Sequence, residues 1–395
     1  MVSPDVVVAG AGMIGAACAE ALSAAGLEVT VLDRGAIAAG TTAAGEGNVL
    51  VSDKAPGPEL ELARVSRRRW PELLAALREE LGPALAEAEW EAKGGLVVAT
   101  TPDAAASLSR FAAAQRAVGI RADEIAPADA AALEPHLTRK VTAAVHYPED
   151  AQLQPVLAAT TLLAAVRARG GEVRAGTEVL GVTRDSAGRV SGVRTDRGTI
   201  ACRAVVNACG PWAGSFAARV GAPINVLPRR GMILVTGPLP PGTVRRKVYD
   251  ADYVGAVASG EADLQTSTVV ESTRAGTVLI GSSRERVGFD DTVRIDVLRE
   301  LARKAVALFP VLADVPVMRA YGGFRPYAPD HLPVIGADPR LPGLWHATGH
   351  EGAGIGLAAA TGRLLADLFT GAVPEVDPEP FRVDRAAVID GEAAA

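Results

Sequence analysis

Val6-Val7-Val8 is a short, wholly apolar run, the pattern of a parallel strand buried on both faces. A helical stretch follows from Met13 to about Ala25 and is closed by Gly26, and Val29 to Leu32 reads as a second buried strand. Residues 60–81 set Leu62, Val65, Leu73, Leu74, Leu77 and Leu81 largely on one helical face, with Pro71 expected to kink or divide the helix. Further along, Gly94–Thr100 reads as a strand, and helices are expected after Asp103, over 152–169 and over 293–309. Gly171–Gly214 reads as short strands with turns, ending in a buried strand, Ala204–Cys209, that Gly210-Pro211 stops. From 229 to 288 apolar and polar residues alternate, as in strands of a sheet with one wet face. Gly343–Gly371 is a second strand, glycine loop and helix.

The turn between the first strand and helix carries Gly10, Gly12 and Gly15 in the spacing G-x-G-x-x-G. Gly10 allows the tight turn, Gly12 a close approach to a pyrophosphate, and Gly15 close packing of helix on strand. The N–H groups and dipole of that helix suit a phosphate. Asp33 lies eighteen residues after Gly15, where a carboxylate can take a ribose diol. This predicts a dinucleotide. It does not separate NAD from FAD, although an acid at 33 argues against NADP. Ala38–Pro58 is rich in small residues, lacks periodicity and is long for a plain connection, which favours a binding role. In the second glycine loop, Gly349, Gly352, Gly354 and Gly356 precede a long helix whose N-terminus suits an electron-rich group. A flavin has use for such a loop, because its reduced ring is negative near N1 and C2=O.

Composition narrows the picture. The chain of 395 residues is long enough for two lobes, and nearly half its residues are apolar, as in an α/β protein. A formal charge of −6 argues against nucleic acid or an anionic membrane surface as partner. No apolar run is long enough to span a bilayer, and the N-terminus shows no signal peptide. Cys18, Cys202 and Cys209 are odd in number and lack metal-ligand spacing, so no metal is expected and reduced thiols in a cytoplasm are.

Taken in order, "VVVAGAGMIG", "LDRG", "GTTAAGEGN", "GTEV", "VVNACGPWAG", "GGFRPYAPDHLPVIG" and "TGHEGAGIGLAAATG" resemble the FAD-dependent amine oxidoreductases of the D-amino-acid oxidase superfamily. The branch they resemble holds glycine oxidase, sarcosine oxidase and D-hydroxyproline dehydrogenase. The resemblance implies an α/β fold: a Rossmann-like FAD-binding domain (1–85, 150–215 and 320–395) interleaved with an α+β substrate domain (86–149 and 216–319) on an antiparallel or mixed sheet. It implies that Met13 and Ile14 lie at the pyrophosphate turn and that Asp33 and Arg34 bracket the adenosine ribose. Thr41, Thr42, Glu46, Gly47 and Asn48 then run toward the flavin, Val179 offers its backbone to adenine, and His350, Glu351, Gly352, Ala353, Gly354, Ile355 and Gly356 lie along the pyrimidine side. Arg325, in "GFRPY", is the expected carboxylate clamp, because a guanidinium can bind a carboxylate through two parallel bonds. Tyr253 is the expected assisting tyrosine, with Val269 aligning there if no gap is allowed, and Asn48 is expected near the substrate. Tyr249, Gln265, Glu271 and Tyr327 are further candidates for the pocket, whereas Trp212 is expected to pack near the cofactor.

Two departures bear on this. The cysteine through which monomeric sarcosine oxidases attach flavin lies seven residues before the motif's aspartate; counting back from Asp330 gives Gly323, so FAD is expected to be non-covalent. Glycine oxidases carry an arginine where this chain has Gly352, and "GHEG" looks more like the D-hydroxyproline and cyanide-forming dehydrogenases. The expected reaction is oxidation of the C–N bond of a small amino acid or amine by hydride transfer to flavin N5, giving an imine and then a keto acid. The alternative is the catalytic subunit of a multi-subunit dehydrogenase. The electron acceptor is oxygen or a partner protein, and slow reoxidation by oxygen is expected; an oligomer or heteromeric complex stays open.

Overall fold

A computed structural model describes residues 3–257 and 259–389. Its first sheet has six strands. Val6–Ala9 lies at the middle, parallel to Ala204–Asn207 on one side and to Val29–Leu32 on the other. Glu172–Arg174 extends one edge, Leu344–Thr348 the other, and Val334–Ala337 closes that second edge antiparallel. All four residues of each of the three central strands are buried, as the unbroken apolar runs imply. Helices Met13–Ala24, Pro155–Ala168 and Gly354–Thr370 cover one face, and Leu22, Leu162, Val166 and Leu365 pack in that core.

The second sheet has eight strands in the order Val317–Tyr327, Leu227–Thr236, Val278–Arg284, Gln265–Ser272, Lys247–Asp250, Gly95–Ala99, Ala143–Tyr147 and Asp123–Ile125. It is antiparallel except where Lys247–Asp250 meets Gly95–Ala99. Its strands therefore come from distant parts of the chain, and sheet and helix segments alternate between the two lobes.

Two expectations need correction. The strands between 229 and 288 are not wet on one face: all seven residues of Val278–Arg284 are buried. Val278 and Ile280 pack with Val297, Leu301 and Ala305 of the helix Ile295–Leu308, while Gly281 faces the Glu46 carboxylate. The polar residues of these strands thus serve an internal site. Pro71 does not divide its helix, which runs unbroken from Pro58 to Leu81. The preceding Trp70 is fully buried, and its indole N–H is shared between the carbonyls of Ile355 and Gly356. That docking outweighs the roughly 3 kcal/mol that proline costs a helix interior.

Candidate functional site

One long cleft runs between the two sheets. At its first end the walls are mostly backbone. A Cβ on Gly10 would stand 2.3 Å from the Ala208 carbonyl oxygen, and one on Gly15 would stand 1.9 Å from that of Gly10. Helix Met13–Ala24 can therefore start this close to its strand only with glycine there. Gly12, Met13 and Ile14 line the cleft. The Met13 N–H donates to Thr42 Oγ1 (2.9 Å), which ties the following loop to the helix start. Asp33 sits beyond the second strand; its Oδ2 accepts from the Ala11 N–H and its Oδ1 from the Gly35 N–H, both at 2.8 Å. Those bonds fix the carboxylate and leave each oxygen a further lone pair. Val179 lines the same end, next to Thr177, whose N–H donates to the Asp33 carbonyl. Arg34 lies 4.3 Å over the Trp212 ring, which stacks on Phe289, so Trp212 does pack beside this end.

Midway, Thr41, Thr42, Glu46 and Asn48 line one side and His350, Glu351, Gly352, Gly354 and Ile355 the other. Gly47, Gly15, Ala353 and Gly356 are not on the wall. Gly47 presses on the Leu153 carbonyl, Gly356 on the backbone at Asn48, and Ala353 begins the helix Gly354–Thr370. His350 is buried, its Nε2 3.0 Å from Thr361 Oγ1, and burial pushes its pKa down to about 3, so its imidazole stays neutral. Gly323 also lines the cleft, and a Cβ there would fall 2.5 Å from that of Ala44.

The far end is built of charged side chains. Arg325 is carried by Val317–Tyr327 and lies flat across Gly231, where a Cβ would meet its Nη1 at 2.2 Å. Its Nη1 donates to the Ser283 carbonyl (2.9 Å). Tyr253 arrives on a short helix, Asp252–Val257, inserted after the strand Lys247–Asp250; its ring lines the cleft, 4.9 Å from that of Tyr249. Arg284 is buried with its guanidinium 4.7 Å over the Tyr253 ring. Burial, reinforced by the like charge of Arg284, lowers the Arg325 pKa to about 10. Behind them, fully buried Arg229 donates to Glu351 (3.2 Å) and to the Ser259 carbonyl (2.8 Å). Glu351 also bonds His331 Nδ1 (2.7 Å), which raises the histidine pKa.

Sequence reasoning missed Lys247. Its ammonium is buried within 3.3 Å of Glu46 and 3.2 Å of Glu271, and it also donates to Asn48 Oδ1. Asn48 Nδ2 donates to Glu46 (3.0 Å), so the Asn48 amide is held at both ends. Burial works to raise the Glu46 carboxyl, but Lys247 and Asn48 hold it below the ordinary value; for Glu271 burial prevails and the pKa rises. Lys247 stays above its ordinary value because both acids oppose the cost of burial. The only signal available was a lysine opening a strand whose neighbouring strand holds an inward glutamate. Among the other candidates, Tyr249 donates to Ser52 Oγ in the interior, Gln265 to Ser259, and Glu271 serves Lys247. The Tyr327 ring lies beneath Arg229, and Val269 is buried in its strand. Tyr253, and not Val269, reaches the cleft.

A continuous channel from a carboxylate-tipped strand, past a glycine turn, to a cationic pocket fits an elongated dinucleotide with a substrate at its far end. The sequence matches the family described as FAD dependent oxidoreductase over residues 5–368. The chain belongs to this family. It is 31% identical over 386 residues to a glycine oxidase of Geobacillus kaustophilus, covering 96% of this chain and 97% of that protein. It is 32% identical over 384 residues to a glycine oxidase of Pseudomonas aeruginosa, covering 96% and 98%. The hydrogen cyanide synthase subunit HcnC of that organism is 30% identical over 422 residues, covering 96% of each. The crystal structure of the Geobacillus glycine oxidase superposes with a TM-score of 0.86 at 28% identity, covering 97% of this chain and 98% of that one. The chain is thus an FAD-dependent oxidoreductase acting on amino-acid or amine C–N bonds, with the mixed α/β fold of its relatives. The end-to-end match to glycine oxidases does not favour the subunit alternative. Among the described residues no helix is long and apolar enough to cross a membrane.

Proposed function

We propose that this FAD-dependent oxidoreductase holds its cofactor without a covalent bond and oxidises a small amino acid clamped by Arg325. The observation that carries the reading is a half-buried arginine, with no carboxylate in ion-pair range among the described residues, on the wall that the dinucleotide channel reaches. Gly10, Gly12, Met13, Ile14, Asp33 and Arg34 would hold the adenosine diphosphate half, with Val179 at the adenine. Thr41, Thr42, Glu46 and Asn48, facing His350 to Gly356, would hold the flavin half. The contact between Gly323 and Ala44 supports non-covalent binding, since a cysteine there would displace the loop. We also propose the division into an FAD-binding domain of 1–85, 150–215 and 320–395 and a substrate domain of 86–149 and 216–319.

The bound flavin supplies a two-electron acceptor for the hydrogen on the carbon next to the amine, and the resulting imine hydrolyses to a keto acid. The residues do the rest by placement and field. The planar fork of Arg325 takes the substrate carboxylate through two bonds and fixes the amine end against the flavin half. Tyr253 covers the pocket, and Asn48, held by Glu46 and Lys247, presents a fixed amide edge. Two neighbouring guanidinium groups disfavour an ammonium ion and so favour the neutral amine, the form that can be oxidised. The acceptor is oxygen or an electron-transfer partner, the setting is cytoplasmic, consistent with three free cysteines, and assembly into an oligomer or complex is open to sizing of the purified protein.

The test is anaerobic bleaching of the flavin by glycine, sarcosine, proline, hydroxyproline isomers and D-amino acids. The reading requires at least one to bleach it. Acid precipitation should release yellow cofactor to the supernatant; colour retained in the pellet would refute non-covalent binding. Reoxidation by air should be slower than by a dye or quinone.

A further inference from the structure

Three buried charges meet where the loop after Val29–Leu32 reaches the eight-stranded sheet. Glu46 comes from the loop, Lys247 and Glu271 from neighbouring strands, and the register that sets Val248 against Val270 brings Lys247 and Glu271 opposite each other. The ammonium gives its three hydrogens to Glu46 Oε2, Glu271 Oε2 and Asn48 Oδ1. Oε1 of each glutamate is buried and has no hydrogen-bond partner among the described residues. Val248, Val269 and Val270 are the buried residues beside them in the sheet, and replacing a buried ion triad by packed apolar side chains is often neutral or stabilising. Stability therefore gives no reason for the triad, and position does. Of the three only Glu46 lines the cleft, on the middle stretch between the glycine turn and Arg325. The second sheet is cut back to admit it: a Cβ on Gly281 would stand 2.3 Å from Glu46 Oε1. Lys247 and Asn48 keep its carboxylate ionised, and the Asn48 amide fixes its direction. Lys93, the other cation acting on Glu271, has Glu91 as its own partner at 3.6 Å. Two carboxylates against one ammonium leave negative charge in excess, and Glu46 brings it to the cleft.

We propose that Glu46 is a fixed negative charge that lowers the reduction potential of the bound flavin. This rests on the reading above, in which Glu46 lies along the flavin half of the cleft, and adds what sets the cofactor's strength as an electron donor. A two-electron reduced flavin gains negative charge on its ring, so a carboxylate held nearby in a site shielded from water disfavours the reduced form. The lowered potential makes the reduced flavin a stronger donor to the acceptor that follows. Lys247 lets the charge be kept there: it offsets the cost of burial without itself reaching the cleft wall.

The test is the potential itself, measured without substrate. Wild-type, Glu46→Gln and Asn48→Asp holoenzymes are reduced slowly under anaerobic conditions against a reference dye, and the oxidised and reduced fractions are read from the visible spectra. Glu46→Gln removes the charge at nearly constant shape and should shift the equilibrium toward reduced flavin at least tenfold, about 30 mV for a two-electron couple. Asn48→Asp adds a negative charge at constant size, on the same cleft wall and within reach of Lys247, and should shift it the other way. A merely disturbed pocket has no reason to respond with opposite signs to the two changes. An unmoved potential in Glu46→Gln, or shifts of the same sign in both variants, overturns the proposal. If Glu46→Gln retains no flavin, Glu271→Gln decides: its side chain lies off the cleft, and it should still raise the potential, by less; no rise overturns the proposal. Wild-type protein that takes up no FAD would instead overturn the cofactor reading, whereas yellow protein with unmoved potentials overturns this inference alone.

Discussion

At the dinucleotide end the groups facing the cleft are mainly backbone, brought close by glycines that stand within a few residues of one another. At the substrate end they include charged side chains brought from far apart: Arg325 on Val317–Tyr327 and Glu46 from the first lobe, with Glu46 backed by the buried Lys247 of Lys247–Asp250. The first construction tolerates no added volume; the second tolerates no loss of a counter-charge. A site made of backbone is fixed by local chain geometry. A site made of paired charges is fixed only when the whole sheet has assembled.

The contrast predicts how each end breaks. The largest effect is expected of Gly15→Val, which drives a side chain into the Gly10 carbonyl; the purified protein should retain no flavin, read from its visible absorbance. Yellow protein at full occupancy would mean that the backbone end can relax. Lys247→Met leaves Glu46 and Glu271 buried without their cation and should cost roughly 3–5 kcal/mol of stability in urea unfolding. Arg325→Ala should keep the flavin yet weaken its reduction by an amino acid roughly 100-fold, about 3 kcal/mol, with a matched amine lacking the carboxylate losing far less. Normal rate and affinity in that variant would show that Arg325 is not the clamp.

A smaller effect concerns the loop behind Asn48. Asp150 is buried and accepts from the N–H groups of Val51 and Ser52 and from the Ser52 hydroxyl. Burial nonetheless raises its pKa from 3.8 to about 6. Below 3.8 the carboxyl is protonated whether the chain is folded or not. Between 3.8 and about 6 only the unfolded chain ionises, so this group lowers stability as pH rises, by up to about 2–3 kcal/mol, with no further change above. Urea unfolding of Asp150→Asn from pH 4 to 7 should lack that decline, and parallel curves for the two proteins would contradict it. The smallest effect is expected of Gly231→Ala, whose new methyl should push the Arg325 guanidinium aside without unfolding the sheet, weakening substrate about tenfold, or 1.4 kcal/mol, with the flavin retained. Unchanged substrate affinity there would show that the flat position of Arg325 is not the productive one.

The same contrast explains what could be read from the chain. Strand, turn and helix from Val6 to Leu32, and again from Leu344 to Thr370, show their period directly, and the structure places them within a residue or two of expectation. Arg325 was legible through its motif neighbours, Tyr253 only as the tyrosine the resemblance implies with Val269 as the alternative, and Arg325 and Tyr253 both line the cleft. Val317–Tyr327 was not legible as a strand: it begins exposed, contains Gly322-Gly323, and becomes a strand through its ladder to Leu227–Thr236. Lys247 and Arg284 carry no local signal, because an unremarkable charged residue in a strand acquires meaning only from the strands that pairing sets beside it.

Val317–Tyr327, a strand of the eight-stranded sheet, is also stitched to two loops that lead from the six-stranded sheet. The Phe324 carbonyl accepts from the Thr41 hydroxyl at 2.6 Å, and the Pro326 carbonyl accepts from the Glu351 N–H at 3.0 Å. Arg325 stands between these two stitches, one from each loop expected to grip the cofactor. An order of assembly follows: whatever settles those loops also sets the clamp, so the empty protein should recognise amino acids poorly until the dinucleotide is seated, and each ligand should tighten the hold on the other.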